Sequence, residues 1–85
     1  MDTTVIEDKI VSLLPKAAQQ KIGPLGRDDV AGSTFKTLGV SSLQLVAMIA
    51  NLEEAFGIEF GDEELMGLGR QTIHGVGSMI RGKLP

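Results

Sequence analysis

The chain contains no cysteine, no tryptophan and no tyrosine, and only three of its 85 residues are aromatic, all of them phenylalanine. Without cysteine it has neither a disulfide nor a thiol nucleophile, so any thiol chemistry must be brought in by another molecule. The same absence fits a reducing compartment, and we expect a cytoplasmic protein. With so few aromatic residues, the core must be built from Leu, Ile, Val, Met and Ala.

Basic residues and long apolar runs are also scarce. Eleven acidic residues against eight Lys and Arg give a formal net charge of −3, which argues against nucleic acid, whose binding needs clustered cations. No apolar run approaches the ~20 residues that a membrane-spanning helix needs. The first residues, MDTTVIEDK, lack the basic and then apolar order of a secretory signal. We therefore expect a soluble protein that binds neither nucleic acid nor membranes.

The single histidine, His74, limits the catalysis that the chain could perform. A hydrolytic triad would have to use His74 as its base, and a lone histidine on a small helix is more often a surface residue. A metal site would depend on carboxylates, but the run Asp62, Glu63, Glu64 is typical of a first helical turn, where acids complement the helix dipole. We therefore expect neither an enzyme nor a metal site.

Apolar residues at helical spacing predict an all-α protein. Thr4 and Glu7 have the spacing of a capping box at the start of the first helix, whose apolar stripe continues to Ile22. Pro15 should either kink this helix or divide it into two abutting pieces. The glycine-rich stretch over residues 23–40 is a long loop with room for one short helical turn.

The strongest helical pattern begins at Ser41 or Ser42. Ser41 and Gln44 have capping-box spacing, and Gly57 is the expected left-handed end of the helix. The apolar face of this helix consists of Leu45, Met48, Ile49, Leu52 and Phe56.

Two further helices complete the pattern. Asp62 is predicted to cap a short helix, and Thr72 is predicted to cap a last one that contains Gly75 and Gly77. Because each glycine weakens a helix by about 1 kcal/mol relative to alanine, this last helix should either fray or depend on packing against the helix that begins at Ser42. The prediction is a small four-helix bundle with three longer helices and one short helix, forming a single domain over residues 1–85.

Ser42 stands out because it lies where the loop becomes the helix. A helix start presents unpaired N–H groups and the positive end of the helix dipole, which favour a phosphate ester on a serine at that place. The long loop should leave the hydroxyl accessible, and Leu43 beside it should be exposed. Serine is also a preferred N-cap residue, so the residues alone leave a purely structural role open.

The sequence around Ser42 resembles the prosthetic-group attachment motif of acyl carrier proteins. In that family an Asp-Ser-Leu triplet follows a Leu-Gly pair and opens the second helix. Here residues 35–43 read FKTLGVSSL, with Ser41 in place of the aspartate. The resemblance continues through residues 52–60 and 62–64, and length, acidity and the four-helix layout agree with it.

The resemblance implies that a phosphopantetheinyl transferase moves 4′-phosphopantetheine from coenzyme A onto Ser42. The thiol of this arm would carry an acyl or aminoacyl group as a thioester, loaded by an acyl- or amino-acid-activating ligase or synthase. The protein would be a stand-alone, monomeric carrier that performs no bond chemistry itself. The alternative is a carrier-like helical adaptor that binds proteins without a prosthetic group, and the replacement of the aspartate by Ser41 favours it.

Partner enzymes are expected to bind the exposed face of the helix that begins at Ser42. Acidic residues occur only near the end of this helix, at Glu53 and Glu54, whereas carriers of fatty-acid synthesis have an acidic second helix. The sequence is closer to aminoacyl or peptidyl carriers, or to a specialised stand-alone carrier. We expect partners to recognise it more by shape and apolar contact than by charge, through Ser41, Leu43, Val46, Ala47 and Ala50.

Overall fold

The computed structural model describes residues 2–85 and is built mainly from helices. A 3₁₀ turn at Leu68–Arg70 precedes the last helix, and within residues 2–85 the only β-type pairing is an isolated bridge between Thr34 and Thr72. The mainly helical structure confirms the predicted all-α bundle, which is similar to acyl carrier proteins. No helix in the described part of the chain is long and apolar enough to cross a membrane. The helices are α1 (Thr3–Ser12), α2 (Lys16–Ile22), α3 (Arg27–Ala31), α4 (Ser42–Phe56), α5 (Asp62–Met66) and α6 (Ile73–Lys83).

Pro15 divides the first predicted helix into two pieces, the second of the two expected outcomes. α1 ends at Ser12, and α2 begins at Lys16 directly after the proline, whose missing N–H is harmless at a helix start. The predicted cap at Thr4 is wrong. Asp2 is the N-cap, and its carboxylate accepts a hydrogen bond from the Thr4 N–H at 3.1 Å. Aspartate is at least as good a cap as threonine, so the helix starts at the earlier residue.

A continuous apolar core joins the helices and the long loop. Phe35 and Leu38, near the end of the loop, are buried, and Met48 and Leu52 are the buried residues of α4. Full burial of one such side chain contributes about 1.5–3 kcal/mol, so the apolar stripes hold the bundle together. The most completely buried side chains elsewhere in the described residues are Ile6, Ile10, Leu68, Ile73, Val76 and Ile80.

The last helix packs mainly against α1, and its predicted dependence on α4 is wrong. Gly77 makes this close contact possible, because a Cβ atom there would lie 3.2 Å from Cγ of Glu7 and 3.5 Å from Cγ2 of Thr3. Thr72 caps the helix as predicted, with its hydroxyl accepting a hydrogen bond from the Gly75 N–H at 2.9 Å. The loss of helix propensity at Gly77 is therefore offset by the close packing that this glycine allows.

α4 ends as predicted, and the link that follows it is held to the core. Gly57 ends the helix in the left-handed conformation, with a φ of 64°. Ile58 and Phe60 then turn their side chains into the core, where both are buried. The Phe60 N–H donates a hydrogen bond to Oε2 of Glu53 at 3.0 Å, which fixes the link to the end of α4.

The short helix α5 is held by its own cap and by one ion pair. The predicted cap at Asp62 is wrong: the cap position is Gly61, whose N–H donates to Oε1 of Glu64 at 2.7 Å. Nζ of Lys83, in the last turn of α6, lies 2.7 Å from the same oxygen. The hydrogen bond from Lys83, followed by that from Gly61, lowers the pKa of Glu64 below its ordinary value.

Replacing Leu52 by Ala should lower the free energy of unfolding by about 2–5 kcal/mol, because it leaves a cavity beside a side chain that is 1% exposed. The same substitution at Leu43, on the same helix but 81% exposed, should change it by less than about 0.5 kcal/mol. Urea unfolding followed by circular dichroism measures both. Equal losses at the two positions would contradict the assignment of Leu52 to the core.

Candidate functional site

The two serines at the start of α4 have different surroundings. Oγ of Ser41 accepts a hydrogen bond from the Gln44 N–H at 3.1 Å, and the Gln44 side chain accepts one from the Ser41 N–H at 3.0 Å. This is the predicted capping box. The Ser42 side chain is exposed, and its hydroxyl makes no hydrogen bond within residues 2–85. Because Ser41 already satisfies the helix start, the hydroxyl of Ser42 is available for a substituent.

Ser42 lies at the edge of an open cleft of about 550 Å³ between α4, α5 and the 3₁₀ turn. It begins a row of α4 residues at helical spacing that face this cleft. The lining is mainly apolar. Its apolar side chains come from three segments of the chain: Val40, then Leu45, Val46 and Ile49, then Leu65 and Met66. A flexible group attached to Ser42 would therefore start beside an apolar surface.

Two cations also line the cleft, Lys36 from the long loop and Arg70 from the 3₁₀ turn. Within residues 2–85 the lining contains no acidic residue and no histidine. The sequence analysis did not find this pair, because the two residues are far apart in the chain and each reads as an ordinary surface cation. Only the tertiary contact between the loop and the turn could have revealed it.

Hydrogen bonds hold the loop before α4 against the segment before α6. The Ile73 N–H donates to the Ser33 carbonyl at 2.9 Å, and the Lys36 N–H donates to the Gly69 carbonyl at 3.2 Å. These bonds, together with the buried Phe35, fix the loop on which the start of α4 depends. The position of the serine is therefore set by long-range contacts as well as by its helix.

Gly39 turns the chain immediately before α4. Its φ of 76° lies in the left-handed region, which side chains other than glycine rarely adopt. A Cβ atom at this position would also lie 2.9 Å from Nζ of Lys21 on α2. The lysine side chain is flexible and exposed and can move aside, so the glycine of the Leu-Gly pair is required by its backbone conformation.

All five residues predicted to bind partners lie on the surface of α4 or at its start. Leu43 is 81% exposed and Val46 63% exposed. Glu53 turns toward the link after α4, where it accepts the hydrogen bond from Phe60, so it adds little charge to this face. One exposed strip of the helix contains Leu43, Val46, Ala47 and Ala50, which follow the spacing of a single helical face.

The other candidate residues from the sequence analysis lie away from the cleft and make ordinary structural contacts. His74 is exposed at the start of α6, with Nδ1 3.4 Å from Oε2 of Glu7. Neither residue lines the cleft beside Ser42. Within residues 2–85, no group of three or more His, Cys, Asp or Glu side chains is arranged to hold a metal ion.

Replacing Ser41 by Ala should lower the free energy of unfolding by about 1 kcal/mol, because it removes the side-chain cap of α4. The matched substitution Ser42→Ala should change it by less than about 0.5 kcal/mol, since this hydroxyl has no partner. Urea unfolding of the unmodified proteins compares the two. A greater loss for Ser42→Ala would show that the roles of the two serines are reversed.

Comparison with known proteins identifies the family. The family model described as a phosphopantetheine attachment site matches residues 16–78, from α2 into α6. The acyl carrier protein homolog of Mycoplasmopsis pulmonis (strain UAB CTIP) is 35% identical over 63 residues, which cover 74% of this chain and 77% of that protein. No solved structure matches the chain significantly. The prosthetic group of the family is covalently attached 4′-phosphopantetheine. The chain therefore belongs to the family of phosphopantetheine-binding acyl carrier proteins.

Proposed function

We propose that Ser42 carries the 4′-phosphopantetheine arm and that the protein uses it to transport a thioester-linked acyl or aminoacyl cargo between partner enzymes. The observation that carries this proposal is the exposed, unbonded hydroxyl of Ser42 beside an apolar cleft. Ser41 is the other serine at this helix start, and its hydroxyl is engaged as the cap. The residues around Ser42 therefore fit the prosthetic group of the family.

Attachment would join the oxygen of Ser42 to the phosphorus of coenzyme A that bears the pantetheine. The new P–O bond replaces the bond to the nucleotide half, which leaves, and the hydroxyl proton is lost. Because no acidic residue or histidine lines the cleft within residues 2–85, the transferase has to supply the base. The start of α4 favours the anionic ester through its unpaired N–H groups and its dipole. The attached arm supplies the thiol that this cysteine-free chain lacks.

We further propose that residues 1–85 act as one cytoplasmic, monomeric carrier without catalytic activity of its own. The shared core from α1 to α6 supports a single unit, and the lack of cysteine fits a reducing compartment. The net charge of −3 argues against nucleic acid as a partner, and nothing in the composition favours binding to membranes. The partners would be a phosphopantetheinyl transferase and an acyl- or amino-acid-activating ligase or synthase.

The exposed strip of Leu43, Val46, Ala47 and Ala50, together with Ser41, is the proposed surface for these enzymes. It lies on the same helix as Ser42, so an enzyme bound there would be close to the base of the arm. Its apolar side chains contribute to binding by leaving water, and this contribution depends little on salt. The neutral Ser41 adds no charge where the family has an aspartate.

Incubation with coenzyme A and a broad-specificity phosphopantetheinyl transferase should raise the intact mass by one phosphopantetheinyl group. The Ser42→Ala variant should keep its original mass, because the acceptor oxygen is gone. Ser41→Ala is the matched control and should still be modified. Modification of the Ser42→Ala variant would refute the assigned position, and an unmodified wild-type protein would favour the adaptor function instead.

Replacing Leu43 by Gln should weaken binding to the transferase by at least about tenfold, because an exposed apolar anchor is lost. The control Val5→Gln alters an apolar residue of α1 that is 54% exposed and lies outside the strip, and it should have little effect. Calorimetric titration at low and high salt measures both. A steep loss of wild-type affinity with salt would contradict recognition by apolar contact.

A further inference from the structure

Lys36 and Arg70 are brought together by the backbone at the cleft beside Ser42. The Lys36 N–H donates to the carbonyl of Gly69, the residue before Arg70, at 3.2 Å. The isolated bridge between Thr34 and Thr72 joins the same two segments of the chain. The long loop and the 3₁₀ turn therefore present two cations at one edge of the cleft.

These two positive charges have no counter-charge in the described part of the chain. Neither Lys36 nor Arg70 forms an ion pair within residues 2–85, although acidic residues outnumber basic ones in the whole sequence. Both side chains are exposed, and no carboxylate lines the cleft with them. Two unpaired cations beside an apolar cleft form a positively charged patch, which attracts an anionic group.

The other residues that line the cleft indicate what kind of ligand carries this anion. Its remaining lining is mostly apolar, from Val40 to Met66, so the ligand combines an anionic group with a hydrocarbon part. Ser42 lines the same cleft, and the group proposed on its oxygen brings such a combination with it. Its phosphodiester lies next to the serine, and a carboxylate on the cargo would lie at the far end of the arm.

We propose that Lys36 and Arg70 form an anion site for the group attached to Ser42, binding either its phosphodiester or a carboxylate of its cargo. This inference rests on the proposed attachment at Ser42. The planar guanidinium of Arg70 matches the paired oxygens of either anion, and the ammonium of Lys36 adds a second charge. Binding there would direct the arm along the cleft.

The test compares the thermal midpoints of four forms of the protein: unmodified, phosphopantetheinylated, butanoylated and succinylated. The last two are made by giving the transferase butanoyl-coenzyme A or succinyl-coenzyme A. The double variant Lys36→Gln, Arg70→Gln is compared with wild type. The control Lys9→Gln, Arg81→Gln removes the same total charge from two exposed residues that do not line the cleft.

Addition of the arm should raise the midpoint of wild type and of the control by a few degrees at low salt, and the rise should disappear in the Lys36, Arg70 variant. If the midpoint change of the Lys36, Arg70 variant first departs from that of the control when the arm is added, the site binds the phosphodiester. If the variant and the control depart from each other only in the change of midpoint from the butanoyl to the succinyl form, the site binds a carboxylate of the cargo.

The ³¹P resonance of the phosphodiester gives a second readout that does not depend on stability. In the phosphodiester case it should shift between wild type and the Lys36, Arg70 variant, and salt should reduce the difference. Equal midpoint changes in all three proteins at every step, with no such shift, would overturn the anion site. An unchanged mass after the transferase reaction would instead refute attachment at Ser42, so the two failures are distinguishable.

Discussion

The functional geometry of this protein depends on the hydrogen bonds that close the start of α4. Ser41 and Gln44 satisfy each other's backbone groups and so fix the residue at which the helix begins. Residues three and four apart on α4 share a face, and the buried Met48 and Leu52 fix which face points to the core. Ser42 then begins the face that lines the cleft, while Leu43 begins the exposed strip. The capping box stabilises the first turn, which keeps Ser42 in its helical position beside the cleft.

This helix start in turn needs the long loop to be held in place. The loop is anchored by the buried Phe35 and Leu38 and by hydrogen bonds to the segment before α6, which itself packs on α1. The core of the bundle thus reaches Ser42 through contacts between segments distant in sequence. The same contacts bring Lys36 next to the 3₁₀ turn, so one structural connection positions the serine and creates the charged edge of the cleft.

Local features were predictable from the sequence, and long-range ones were not. The box at Ser41, the end at Gly57 and the cap at Thr72 each need only neighbouring residues, and all three are confirmed. The cap expected at Thr4 failed because Asp2 caps the helix earlier, and the cap expected at Asp62 failed because the Glu64 side chain binds the Gly61 N–H instead. Spacing alone does not decide between such neighbours. Ser42 was singled out by its place at a helix start and by its resemblance to a known motif.

The packing of α6 on α1 and the pairing of the two cleft cations could not be predicted, because both depend on how separate helices meet. Periodicity identifies an apolar face but does not say which neighbour covers it. The cleft itself has no sequence pattern, since its lining comes from the loop, α4, α5 and the 3₁₀ turn.

The modest anchoring of α5 has a consequence for the size of the cargo. This helix has five residues, none of them fully buried, and the Gly61 N–H and the Lys83 ammonium both hold it through Oε1 of Glu64. Segments with so few buried contacts open at much lower free energy than the core. Because α5 supplies one wall of the cleft, we expect that wall to open at lower free energy than the contact between α1 and α6. Under the proposed function, such opening would let the cleft admit cargo of different length while the core stays folded.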